Sequence, residues 1–409
     1  MLLTKSARRS RVARRGGITT YQLSSRRLVL PTACTLLLYG CLFLLVNSRS
    51  YGLVNTRLLD RFPWLRTATD ALLPPSFLYA TRQSHQADVN AALYALLMVA
   101  LIAAWAWALW SVRPGTLAPT LRWVLLGAGL FGVPLLFLPQ IFSCDLALYI
   151  YYGRTISEYG LNPFTVPPVR LAHDPVISWG RCWRGYGSAY GPVWLMLSGG
   201  LSGLTGEARF PNFFAYKAAL LSSHLLCTAA VWLTLRRVRP EHAAWGAVFY
   251  GWNPLVLFES VGNGHNDVVL ATFTALALLA TAYKRRALGV CFAVAAAMVK
   301  APAVVLLPPL ILVWMLDTPT VRRKLLAGLT AVSVAVVSAL VMYGPLWAGA
   351  AWLRNVRKNP AATRYYQSLW EFAVRRVVHS PDQQQLTRLF NDLDLVRNGA
   401  FLAVYVVLI

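Results

Sequence analysis

Of the 409 residues, 57% are apolar and only 13% charged, and the mean hydropathy is +0.51. A soluble globule carries about 25% charged residues to cover its surface, so water is excluded as the solvent for most of this chain. Lys and Arg outnumber Asp and Glu by 39 to 15, a net charge of +24. The cations stand mainly between apolar runs rather than along one soluble face, which favours membrane lipids and phosphate-bearing lipids as partners and argues against nucleic acid.

Residues 1–27 form a basic tail with Arg8, Arg9, Arg11, Arg14 and Arg15 in one cluster. The apolar run Leu28 to Val46 follows, with no small-residue cleavage site after it. It reads as an uncleaved signal anchor with a cytoplasmic N-terminus. Further apolar runs fall at 91–111, 123–142, 190–206, 213–235, 243–260, 267–282, 287–299, 302–316 and 325–343. This predicts an all-α, polytopic transmembrane bundle of roughly ten hydrophobic segments, a single domain over 28–409. The basic clusters Arg236-Arg237-Val238-Arg239, Lys284-Arg285-Arg286 and Arg322-Arg323-Lys324 read as cytoplasmic. If both 190–206 and 213–235 crossed fully, the Arg236 cluster would emerge outside. Segment 190–206 is short and holds Gly199, Gly200, Gly203 and Gly206, so one of the two is expected to be partial or re-entrant. The runs on either side of Lys300-Ala301-Pro302 are short and predict a hairpin or a broken helix there. A last run, Ala400 to Ile409, stops mid-span, from which a truncated chain is expected.

Three polar segments, 48–89, 143–189 and 344–398, fall on the outer side in this count and are too long for tight turns. Trp347, Trp352, Tyr365, Tyr366, Trp370, Arg375 and Arg376 suit helices lying at the interface. Cys144 and Cys182 share one outer loop, where compartment permits a disulfide and spacing alone does not decide it. Cys34, Cys41, Cys227 and Cys291 lie in apolar runs and read as small buried hydrophobes.

Four segments carry residues fit for chemistry. The first runs from Ser143 to Phe164. Asp145 follows a span directly and would sit at the membrane boundary, with Tyr149 and Tyr152 on its face of a helix. A carboxylate so placed is a candidate general base for a sugar hydroxyl; the alternative is a cap for the helix that starts at Leu146. Arg154 and Glu158 form either part of a site or a surface i,i+4 pair, and Asn162 lies in a turn. The second, Asn253 to Asp267, sets His265, Asn266 and Asp267 among glycines between two apolar runs. These residues position a substrate or form a plain connecting loop. The third is Lys300, which at membrane depth must pair, snorkel or bind an anion, with Asp267 or a lipid phosphate as its partner. The fourth is Cys182 to Pro192, where Arg184 and Tyr190 lie in an aromatic and glycine-rich loop over a sugar or in an interfacial belt.

Together these segments resemble the bacterial polyprenyl-phosphate-mannose-dependent α-(1→6)-mannosyltransferases, within the wider GT-C glycosyltransferases. The pieces that carry the resemblance are Asp145 through Phe164, Trp183-Arg184 with Tyr190-Gly191-Pro192, Asn253-Pro254-Leu255 with Gly264-His265-Asn266-Asp267, and Val299-Lys300-Ala301-Pro302. They occur in the family's order across about the middle half of the chain. The resemblance implies a helical fold with the site at the extracytoplasmic boundary of the cell membrane. It also implies a polyprenyl-phosphate sugar donor, a glycolipid or glycan acceptor, and an inverting displacement with Asp145 as base. Lys300, Arg154 and Arg184, in that order, are the candidates to offset the leaving phosphate's charge, with His265 and Asp267 lining the same cavity. Tyr149, Asn162, Tyr190 and Asn266 are further binding candidates. Leu146 and Ala147 follow Asp145, so no second acid stands two residues on, and the sequence supports no divalent metal or other cofactor. Three alternatives stay open: a related enzyme using another polyprenyl-phosphate sugar, a lipid-linked-sugar flippase, and a degenerate, truncated paralogue that binds but does not catalyse. Transporters commonly show paired repeats with broken helices in both halves; a single break near Lys300 and no internal repeat argue against the flippase.

Overall fold

The computed structural model describes residues 27–46, 85–114, 119–138, 143–180 and 182–358. The basic tail up to residue 26, most of segment 48–89, the residues from Tyr365 to Arg376 and the terminal run 400–409 lie outside the described residues. No strand occurs among the described residues; they are helices and the loops between them.

In chain order the helices are α1 (Arg27–Val46), α2 (His85–Ser111), α3 (Leu121–Leu136), α4 (Asp145–Ser157), α5 (Pro192–Thr205), α6 (Arg209–Val238) and α7 (Ala243–Gly251). They continue with the single turn α8 (Pro254–Leu257), α9 (Asp267–Ala282), α10 (Arg286–Ala297), α11 (Leu307–Leu316), α12 (Val321–Tyr343) and α13 (Ala351–Lys358). Four stretches are long and apolar enough to cross a bilayer: Arg27–Val46, Ala92–Ser111, Arg209–Val238 and Val321–Leu346. A helix suits them because only intrahelical bonds satisfy the backbone where there is no water. α12 leaves Leu329, Val336, Val337, Leu340 and Val341 exposed. An apolar face of that extent is solvated by lipid, so this is a membrane protein.

The ten-segment expectation resolves into these four and shorter apolar helices over Leu121–Leu136, Asp267–Ala282, Arg286–Ala297 and Ala301–Leu316. Two expected runs are not continuous apolar helices. Run 243–260 breaks at Trp252-Asn253, where the Asn253 Oδ1 accepts from the backbone N–H of Leu255 (3.0 Å) and Val256 (3.4 Å) and starts α8 afresh. Pro254 stands at the first helical position, where its missing N–H does no harm. A π-helical turn, Phe258–Gly262, follows. Run 190–206 becomes α5, whose 14 residues extend about 21 Å, short of a hydrocarbon core of about 30 Å.

The small residues of α5 serve packing against α4. A Cβ on Gly153 would overlap the Ser198 carbonyl oxygen and the Ser202 hydroxyl. Ser202 Oγ donates to Ile150 O at 3.2 Å, and Tyr216 of α6 donates to Ser198 O at 2.9 Å and to Tyr149 O at 3.2 Å. On the other side of the bundle, the rings of Tyr39, Phe131 and Trp252 lie in a row, 5.9 and 5.1 Å between centroids. The Trp252 indole donates to Val124 O at 2.9 Å. In lipid, such close packing and interhelical hydrogen bonds hold helices together, because tails are as apolar as the side chains. At its C-terminal end α10 gives way to Lys300 in extended conformation, then a 3-10 turn over Ala301–Leu306 and α11. α13 is amphipathic: Ala351 and Trp352 are buried, while Leu353 is exposed and Arg357 and Lys358 fill its last turn.

Candidate active site

Asp145 opens α4 as its first residue, after Cys144. Its carboxylate is engaged by side chains rather than by the backbone N–H groups of a cap. The Tyr190 hydroxyl donates to its Oδ2 at 3.0 Å and the Tyr149 hydroxyl, one turn along α4, at 3.5 Å. The two rings meet edge to face at 4.9 Å, and Tyr149 makes the same kind of contact with Trp194. The hydroxyls are thus aimed by packed rings. Tyr152 turns elsewhere and donates to Tyr186 O at 3.0 Å.

The opposite wall comes from the π turn and the loop after it. Widening the helix by one residue per turn lets Asn263 N bond to Phe258 O (2.8 Å) and His265 N to Glu259 O (3.0 Å). Gly264, at φ +79° and against Leu146 of α4, makes the left-handed step that most residues resist. These constraints bring His265 Nε2 to 4.0 Å from Asp145 Oδ2 while its Nδ1–H reaches Glu259 Oε2 at 3.0 Å. His265 lies in a loop outside the helices long enough to cross. Burial opposes its charge, but the Glu259 hydrogen bond and the fields of Asp145, Glu259 and Asp267 outweigh that, and its pKa is raised. The side chains of Asp145 and His265 keep 21% and 28% of their surface, enough for a ligand to reach both.

Lys300 completes the cluster. Its ammonium donates to Asp267 at 2.7 and 2.8 Å and lies 5.6 Å from the Tyr190 ring centroid. The turn before it is clamped by Gly191 N to Val299 O (2.8 Å) and Val193 N to Met298 O (3.0 Å). A Cβ on Gly191 would overlap the Met298 carbonyl oxygen, so only glycine allows that approach. Beside the cluster opens a groove of about 380 Å³ with Leu255, Val256, Val268 and Ala271 along it and Glu259, His265 and Asp267 among its polar residues. Among the described residues, no three His, Cys, Asp or Glu side chains converge as a metal site.

Other expected site residues are placed differently. Arg154 is 2% exposed, and its Nε donates to Asp174 at 3.0 and 3.2 Å. It is neither beside Asp145 nor paired with Glu158 on the surface, because the loop after α4 folds back and buries Asp174 against it. The Arg184 Nε donates to Gly180 O at 2.7 Å, and its Nη2 to Gly180 O and Ile177 O. Asn162 builds a turn, its Oδ1 accepting from Phe164 N at 2.9 Å and its Nδ2 donating to Leu346 O at 3.0 Å. Asn266 is buried beside His265 with neither amide atom hydrogen-bonded. Cys144 and Cys182 form a disulfide, Cα to Cα 6.1 Å, which ties the residue before Asp145 to the loop that holds Arg184. Glu259 is the site residue to which the sequence reading assigned no role; an acid within an apolar run was its only signal.

An arrangement of one carboxylate under two tyrosyl hydroxyls, a histidine facing it and a lysine beside it suits proton removal next to a developing negative charge. The family model described as alpha-(1->6)-mannopyranosyltransferase, N-terminal domain, matches residues 61–316, more than half of the chain, and the chain belongs to that family. Alpha-(1->6)-mannopyranosyltransferase A of Corynebacterium glutamicum is 24% identical over 239 residues, covering 54% of this chain and 47% of its own length. The Mycobacterium tuberculosis protein of the same name is 26% identical over 231 residues, 54% of this chain and 43% of its own length. A further M. tuberculosis alpha-(1->6)-mannopyranosyltransferase is 31% identical over 146 residues, 34% of this chain and 24% of its own length. The chain spans less than half the length of each of these relatives. No solved structure matches it.

Proposed function

We propose that this protein is a multi-pass membrane glycosyltransferase that moves a hexose, mannose in the reading favoured by its relatives, from a polyprenyl-phosphate donor to a glycan or glycolipid acceptor. The observation that carries the reading is the partly exposed Asp145 carboxylate, held by Tyr190 and Tyr149 and facing His265. In the step proposed, Asp145 takes the proton of an acceptor hydroxyl as that oxygen bonds to the donor's anomeric carbon. The bond from that carbon to the phosphate oxygen breaks, and the lipid phosphate leaves with the electron pair. The configuration inverts, so a β-linked donor gives an α product. Of the three cations considered for the phosphate, Lys300 stands in the cluster, and His265 joins it as a second positive group. Arg154 and Arg184 serve instead to hold the loop. The groove's apolar wall receives the donor's tail.

The outward orientation rests on the helix ends. α6 and α9 finish at Arg236-Arg237 and next to Lys284-Arg285-Arg286, and α12 begins at Arg322-Arg323-Lys324, all at the ends away from the cluster. Basic clusters favour the cytoplasmic side, and a disulfide beside Asp145 belongs to an oxidising compartment. The test is transfer by membranes holding the protein, with radiolabelled polyprenyl-phosphate mannose or glucose as donor and a short α-mannoside as acceptor. The expected result is an α-linked product from the mannose donor. A β-linked product would contradict inversion, and transfer from the glucose donor alone would contradict mannose.

A further inference from the structure

Between Arg209 and Arg236, helix α6 carries a single Lys or Arg, Lys217, in a membrane-crossing stretch. Its side chain is fully buried, so it does not snorkel to a headgroup as an intramembrane lysine ordinarily does. Its Nζ donates to three backbone carbonyls, Leu135 O at 3.1 Å, Leu138 O at 2.6 Å and Gly262 O at 2.8 Å. Each of the three donors of an ammonium therefore has its acceptor.

Those acceptors come from two separate places. Leu135 lies in the last turn of α3, where the carbonyls of a helix lack intrahelical partners, and Leu138 two residues past its end; the chain reaches Asp145 seven residues after Leu138. Gly262 ends the π turn, three residues before His265. We infer that Lys217 is a positioning residue: by holding the end of α3 and the end of the π turn on one nitrogen, it sets the distance between Asp145 and His265. The close approach of Gly264 to Leu146 is a second brace, between the His265 loop and α4, and it does not reach α3. The inference rests on the reading of the Asp145–His265 cluster as the active site, and its test needs no sugar transfer.

The readout is the pH dependence of His265 carbethoxylation by diethyl pyrocarbonate, followed by peptide mass spectrometry on the full chain in detergent. The reagent modifies the neutral imidazole, so the midpoint reports the charges that His265 faces: Glu259 from the π turn, Asp145 from α4, and Asp267 from α9 with its partner Lys300. In the parent the midpoint is expected above the ordinary 6.5, because burial, which opposes the charged ring, is outweighed by the Glu259 hydrogen bond and the neighbouring carboxylates that favour it. Lys217→Met releases both segments, Asp145 draws away from His265, and the midpoint falls. Labelling at a pH well below the parent's midpoint then rises about threefold, the change that a half-unit fall in the midpoint produces there. Val231→Ala, a cavity in the same helix among Cys227, Ala230 and Ala275, is expected to lower stability and leave the midpoint in place. If Lys217→Met does not accumulate as folded protein, Lys217→Gln, with two N–H donors for three carbonyls, is read by the same criterion. An unchanged midpoint in the folded Lys217 variant overturns the inference, as does an equal shift in Val231→Ala. Loss or survival of sugar transfer bears on the proposed activity and leaves this outcome untouched.

Discussion

Replacing Cys182 by Ser tests how the start of α4 is held. The disulfide to Cys144 closes a loop with a sequence separation of 38. The chain-entropy relation for such a loop gives about 4 kcal/mol at 25 °C, a ceiling that applies if the unfolded loop is featureless. Inside it, the Arg154–Asp174 ion pair and the bonds from the Tyr151 hydroxyl to Pro168 O and Leu171 O fold the same segment by other means. A loss of roughly 2–4 kcal/mol is therefore expected, seen as a lower melting temperature by tryptophan fluorescence in detergent. Because Asp145 adjoins Cys144, transfer per folded molecule should fall as well, through a carboxylate less firmly placed under Tyr190. A variant that melts and transfers like the parent would refute the claim that this bond anchors the site.

Three further outcomes follow. Tyr190→Phe keeps the ring contact with Tyr149 but removes the hydroxyl from Asp145; a bond to a charged group contributes about 1.5–3 kcal/mol, so the melting temperature should fall by that order of stability, and the initial rate of transfer per folded molecule should fall with it, through a carboxylate less firmly placed. Arg154→Met leaves Asp174, 1% exposed, without its cation and with only the bonds from Tyr159 and Val176 N, which costs up to about 3–5 kcal/mol; the yield of folded protein should drop, while near-normal yield would mean that the pair is dispensable. For pH, the raised value of His265 means that its charged form stabilises the fold. That contribution is complete below the unfolded value of about 6.5 and is lost as pH rises through the folded one. Melting temperature should decline across that window in the parent, and His265→Gln should flatten the decline.

The helical character and the segments that converge on Asp145 were legible because composition and local spacing carry them. Tyr149 lies one turn from Asp145, and the abrupt polar residues at His265, Asp267 and Lys300 stand out against apolar neighbours. What spacing does not carry is distance across the loop: Arg154 pairs with Asp174, 20 residues away, rather than with Glu158 one turn on. Nor does hydropathy tell lipid from protein as the apolar surroundings. The run at 190–206 is apolar enough to read like a span, yet its Gly199, Ser202 and Gly203 face α4. Lys217 gave a signal, the one Lys or Arg between Arg209 and Arg236 of α6, but its three carbonyl partners come from distant backbone that no side-chain pattern marks.

The most direct measurement of the central claim is sugar transfer by Asp145→Asn beside the parent, in membranes holding equal amounts of folded protein. The amide keeps the shape and still accepts from Tyr190 but takes up no proton, and loss of a general base lowers the rate by about 10²–10⁴-fold. Transfer that falls by that order is the predicted result. Equal transfer by the two proteins would contradict the account and remove Asp145 as the base.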